Sequence, residues 1–144
     1  MPNILSGPSL SAVIGSGTVS PSRFVSYVAL ASSLTNPTGG FTVEACPSGG
    51  TPCGISEMGS QLPPDDENYS SGNSWATGQL IGIYGVGRTT VLELGSTVSA
   101  GQTLSAMADG TGRGVPQTAS NPIGAIAKQG GVSGDLIQVV VEVN

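Results

Sequence analysis

"GDLIQVVVE", residues 134–142, is the stretch that decides the fold. From Ile137 onward the aliphatic side chains fall on alternate positions, Ile137, Val139, Val141 and Val143, while Gln138 and Glu142 take the places between them. A period of two belongs to a strand and not to a helix. The polar residues on the second face mean that this side of the sheet meets water. The opening of the phrase, Gly, polar, Leu, Ile, then alternation, occurs once before, as "GQLIGIYGV", residues 78–86.

The likeness extends upstream. "TPCGISEMGSQ", residues 51–61, and "NPIGAIAKQGG", residues 121–131, both run Pro, small or apolar, Gly, a partly apolar stretch, then Gly. Pro suits the first position of a strand because it has no N–H to donate. A Gly two residues on lets the strand bend or another backbone approach. Aligning Pro52-Cys53-Gly54-Ile55 with Pro122-Ile123-Gly124-Ala125 brings "RFVSYVAL" and "FTVEA" over "QTLSAMA" and "GRGVPQT". The chain therefore reads as two copies of one β unit, 24–86 and 102–143. Each copy has an apolar face that it cannot cover alone.

The remaining segments agree with an all-β class. "SRFVSYVAL", from Ser22, follows a Pro that can open a helix, but its β-branched and aromatic content favours a strand. "FTVEA" (41–45) alternates cleanly. "QLIGIY" (79–84) and "TTVLEL" (89–94) flank "GVGR", a hairpin-sized connection. "QTLSAMA" (102–108) leads into the turn "DGTG", and "IGAIA" (123–127) is short and apolar. Two segments read otherwise. Residues 1–22 form an extended N-terminal arm of small and polar residues, with Leu5, Leu10, Val13 and Ile14 as apolar anchors. An ordered arm on a neighbouring subunit and a loose tail are both open readings. Residues 59–78, "GSQLPPDDENYSSGNSWATG", are an insertion relative to the second copy, and long insertions on a scaffold carry binding functions. Tyr69 and Trp75 are its candidate partner contacts; Trp75 packing onto its own domain is the other reading.

Composition narrows the function. The chain has 144 residues and a net charge of −5, and its only basic residues, Arg23, Arg88, Arg113 and Lys128, are scattered. No basic stripe exists for nucleic acid or an anionic membrane, and no apolar run approaches the length of a membrane span. The opening "MPNILSGPSL" has no signal-peptide pattern, which points to synthesis in the cytoplasm. There is no His, so the commonest general base is missing, and no nucleophile motif occurs. Asp65, Asp66 and Glu67 are adjacent in a loop without the spacing of a calcium site. No catalytic residue, cofactor or metal site is expected. Cys46 and Cys53, in "CPSGGTPC", either close a small disulfide loop or stay reduced. Cys53 takes the place of Ile123 in the alignment, which favours a small buried hydrophobe.

"GSTVSAGQTLSAMADGTGRGVP" (95–116) with "NPIGAIAKQGGVSGDLIQVVVEVN" (121–144) resembles the small capsid decoration, or cement, proteins of tailed bacteriophages. These carry a phrase of the type G-x-x-V-x-A-G-[DQ]-x-[LV], a DG turn, a [PI]-I-G-[IV]-A phrase and a closing G-[DE]-x-[IV]-x-V. The resemblance covers Gly95–Val143 well and Arg23–Val86 more loosely. It implies a compact β-barrel or sandwich (β-tulip-like) domain over 23–144. It also implies assembly as a homotrimer and a non-enzymatic role bridging subunits of the major capsid protein on the outer face of the virion. The acidic charge suits that exterior position. A receptor- or glycan-binding module of a phage fibre or head appendage, acting through the 59–78 loop, is the alternative. The echo of biotinyl and lipoyl carrier domains in "TVSAGQTLSAM" fails, because the turn Met107-Ala108-Asp109-Gly110 holds no Lys.

Overall fold

The computed structural model describes residues 10–28, 41–58, 74–118 and 120–142. Twelve strands are assigned there: β1 Leu10–Ile14, β2 Thr18–Val19, β3 Phe24–Tyr27, β4 Phe41–Ala45, β5 Gly54–Ser56, β6 Trp75–Ala76, β7 Leu80–Tyr84, β8 Thr89–Glu93, β9 Thr103–Ala106, β10 Gly114–Pro116, β11 Ala125–Ala127 and β12 Leu136–Val141. No helix occurs among the described residues. β1-β4-β3-β5-β7 close into a barrel, β10-β9-β11-β12-β8 form a second five-stranded sheet, and β2 and β6 make a short ribbon.

The two sheets are one design used twice. In the first, β3 pairs with β4 and β5, and β5 with β7, all antiparallel; in the second, β9 pairs with β10 and β11, and β11 with β12, in the same sense. Registers coincide. Val25 faces Gly54 and Ala45 as Leu104 faces Ala125 and Pro116. The last strand then meets the first. Leu10 faces Ile83 in one unit, and Thr90 faces Val139 in the other. A parallel contact closes the ring. It involves three pairs in the first unit, Ala12 with Phe41, Val13 with Thr42 and Ile14 with Val43. In the second unit it is a single bridge from Leu94 to Gly114, the counterpart of Ile14 with Val43. The β2–β6 pair Val19–Trp75 likewise has a counterpart in the bridge Val98–Gly131. Both units also make the same turn into their last strand. Gly78 (φ 92°) donates its N–H to Ile14, and Gly134 (φ 91°) donates to Leu94, each at 2.8 Å.

The duplication expected from the sequence is therefore present, with four corrections. Each copy begins one strand earlier than read, at β1 and β8, because these strands cover the open edge of the last strand. The Pro-x-Gly phrases align one residue differently: register makes Cys53 the equivalent of Gly124 and Gly54 the equivalent of Ala125. The arm, residues 1–22, is not an arm from Leu10 on, since β1 lies between β4 and β7 in the barrel wall and supplies Ala12 and Ile14 to the core. "GVGR" does not close a hairpin. β7 has both edges filled by β1 and β5, so the turn hands the chain to the second unit, where β8 pairs with β12. The turn is held there by Gly87 N–H to Val141 O (2.8 Å) and Val141 N–H to Arg88 O (2.9 Å).

Side chains of alternating parity fill each barrel, as barrel geometry requires. Ala12, Ile14, Val19, Val25, Val43, Ile81 and Ile83 form the first core. The second, around Leu92, Leu104, Ile137 and Val139, also takes in Phe24, Cys46 and Ile55 from the outer face of the first barrel. A Cβ at Gly124 would run into the Phe24 ring at 2.5 Å, and one at Gly114 would touch the same ring at 3.6 Å while clashing with Leu92. Its N–H donates to Gly112 O at 2.7 Å. Beside it Glu93 Oε2 accepts from Arg113 Nε at 2.8 Å and meets Arg23 Nη2 at 3.3 Å, while Arg23 Nη1 donates to Thr111 O at 3.1 Å.

Phe24→Ala removes the ring that completes the second core and is expected to cost about 3–5 kcal/mol, read from the shift in denaturation midpoint. Ser22 holds φ 56°, where its counterpart is Gly101 at φ 89°, and its buried hydroxyl has no partner. Ser22→Gly is therefore expected to stabilise the chain by about 1 kcal/mol and Gly101→Ser to destabilise it by a similar amount; both are read from thermal unfolding.

Candidate functional site

An open groove of about 560 Å³ lies on the first barrel. The chain builds it from the end of the β3–β4 hairpin, the "CPSGGTPC" loop and the turn between the barrels. Tyr27 and Val86, 52% and 65% exposed, form apolar walls together with Pro47 and Pro52. Glu44 is the one ionisable carboxylate in the lining. Tyr27 has its phenol pKa raised by burial and, secondarily, by Cys53, so it enters the groove as a neutral hydroxyl.

The cysteines give the groove no nucleophile. Both are free, Cys46 buried and Cys53 half-buried in the groove wall. Burial pushes each thiol up to about 11. A protonated thiol is a poor nucleophile and metal ligand. Among the described residues no three His, Cys, Asp or Glu side chains gather to hold a metal, and no helix is long and apolar enough to cross a membrane. The Arg23–Glu93–Arg113 cluster, with Arg23 and Glu93 buried and Arg113 partly exposed, sits at the junction of the two barrels, outside the groove lining. The groove offers apolar walls, a phenol and one carboxylate.

The residues singled out from the sequence do not converge there. Leu5 and Tyr69 lie outside the described residues. Leu10 pairs with Ile83 in the barrel wall. Ile14 is 1% exposed in the first core. Trp75 pairs with Val19 and packs half-buried against that same core, which it shares with Ile14. Val13 lies in a row with Thr42 and Leu80. Sequence reading passed over Tyr27, Glu44, Val86 and Leu80. Leu80 and Val86 carried a signal: both are large apolar residues on the polar parity of an alternating strand or in its turn.

The raised thiol pKa values set a test. Folded Cys46 and Cys53 stay protonated where unfolded thiols, near 9.0, begin to ionise. Stability from this source is complete below about pH 9 and falls as pH rises toward 11. At pH 8 both thiols should react with iodoacetamide about 100-fold more slowly than in the unfolded chain, as followed by intact mass.

No family model and no curated protein matches the chain. Among solved structures, it is similar to the crystal structure of the N base of the head fiber protein gp8.5 of bacteriophage phi29. The TM-score is 0.60 at 15% sequence identity, and the likeness covers 95% of each chain. At that identity the likeness is one of fold.

Proposed function

We propose that this chain is a non-enzymatic structural protein of a phage head, made in the host cytoplasm and carried on the capsid exterior. There it stabilises the shell by bridging subunits of the major capsid protein, and it assembles as a homotrimer. The observation that carries the reading is the fold: the paired-barrel architecture matches a head fiber base over 95% of both chains. The chemistry agrees. The two barrels are locked together by a shared core and an ionic cluster, which suits a load-bearing part. Binding through several contacts per assembly raises avidity without demanding much from each.

A second reading has its own support, since the similar structure belongs to a fiber and not to a cement protein. In that reading the chain is the foot of a head appendage and the Tyr27–Val86 groove faces a receptor or glycan. One experiment separates the two. Purified chain is added to capsid shells that lack it, and bound protein and shell melting temperature are measured. Saturable binding with a raised melting temperature supports the bridging role, and binding with an unchanged melting temperature supports the appendage. No binding at matched salt overturns both.

A further inference from the structure

The groove on the first barrel gathers side chains that the fold itself does not need. Among the described residues four large hydrophobic side chains are exposed, Tyr27, Leu80, Val86 and Val132, and two of them, Tyr27 and Val86, meet in this one place. Register supplies the comparison with the second barrel. Ser105, Ala106 and Val115 stand there where the first barrel has Ser26, Tyr27 and Glu44. The same strand pairing forms with a methyl group in place of the phenol and an isopropyl group in place of the carboxylate. Closing the barrel therefore requires neither an aromatic ring at 27 nor a charge at 44.

Charge decides what the groove takes. Glu44 is half-buried and is the only charged side chain in the lining. Both ion pairs among the described residues belong to Glu93, so no described cation sits against Glu44. The whole chain carries a net charge of −5. A half-buried carboxylate in an apolar wall attracts a cation more strongly than one in open water. That cation needs an apolar stem, since Pro47, Pro52 and Val86 present hydrocarbon. A flat guanidinium meets both remaining features: it stacks on an aromatic ring and forks onto a carboxylate through two N–H groups. The trough is open, whereas a small-molecule site encloses most of its ligand. A side chain presented on a partner's surface fits an open trough better. We infer that the groove docks an arginine side chain on an extended segment of a partner protein, with its stem along Pro47, Pro52 and Val86 and its guanidinium between Tyr27 and Glu44. The inference deepens the appendage reading, and it rests on that reading for the groove being a contact face.

The test is an NMR titration of the isotope-labelled full chain, with no shell present, using the blocked peptide acetyl-Ala-Pro-Arg-Pro-Ala-amide. Saturable shifts are expected at the amides of Thr51, Cys53 and Val86. Citrulline in place of the peptide's arginine keeps the shape and removes the charge, and it should weaken binding about 5- to 10-fold. Glu44→Gln should cost the arginine peptide a similar factor and the citrulline peptide nothing. Tyr27→Ala, which installs the second barrel's residue, should weaken binding about 2- to 5-fold, and Tyr27→Phe should keep it. If thermal unfolding shows that Tyr27→Ala does not fold, Tyr27→Leu takes its place. Arginine and citrulline peptides that bind alike overturn the inference, as does arginine binding that Glu44→Gln leaves unchanged. So does the absence of saturable shifts at millimolar peptide. Groove shifts with chitotriose and not with the peptide assign the groove to a glycan, and groove shifts on concentrating the chain alone assign it to a second copy; either overturns the inference. The shell-binding experiment is separate, so a failure here leaves the appendage reading standing and a failure there leaves the peptide result standing.

Discussion

The structure depends on one side chain that belongs to two barrels. Phe24 is on the outer parity of β3, yet it is fully buried, because it enters the second barrel at a seam lined by glycine. Neither Gly114 nor Gly124 can carry a Cβ without displacing a neighbouring side chain, Leu92 at the first and Phe24 at the second. The seam there is held by one bridge, while the first barrel's is zipped over three pairs. The insertion and the loosened closure are thus one arrangement. A fully paired seam would shut the phenyl ring out, and an unfilled one would leave a cavity.

The ionic cluster beside Phe24 works on specificity more than on net stability. Arg23 and Glu93 are both nearly buried, and desolvation pulls the Arg23 pKa down against the upward pull of Glu93. Arg23 Nε has no hydrogen-bond partner. A buried cluster of this kind gains little over a hydrophobic replacement, but it penalises any relative placement of the barrels that separates the partners. Phe24 supplies attraction, and the charges supply orientation.

Much of this was legible from alternation and repetition. β4, β7, β8 and β12 lie where the period of two put them, and the Gly-polar-Leu-Ile phrase marks equivalent turns because Gln79 and Asp135 do the same work there. The side-chain oxygen of each accepts from the backbone N–H three residues back, Ala76 and Val132. What was not legible has identifiable causes. β1 sits among Gly, Ser and Pro, and only its barrel neighbours reveal that "LSAVI" alternates inward and outward. A four-residue turn serves a hairpin and a crossing between sheets equally well, so the partner of β7 had to come from the remaining edges. "GSGTVSPSR" and "GSTVSAGQ" are also equivalent, but a one-residue gap and the exchange of Ser22 for Gly101 at a positive φ hide the match. The groove around Tyr27 escaped notice because its walls come from three segments far apart in the chain.

The dependence between the barrels runs one way. The first half encloses its own core using residues that all precede Gly85, whereas the second half borrows Phe24, Cys46 and Ile55 from it. During synthesis the amino-terminal half leaves the ribosome first. It can close before its follower exists, presenting a finished template with an aromatic peg already in place. The later half condenses on that template. The order of translation and the direction of structural debt therefore coincide, so a nascent chain never has to wait, half-built, for a piece not yet made.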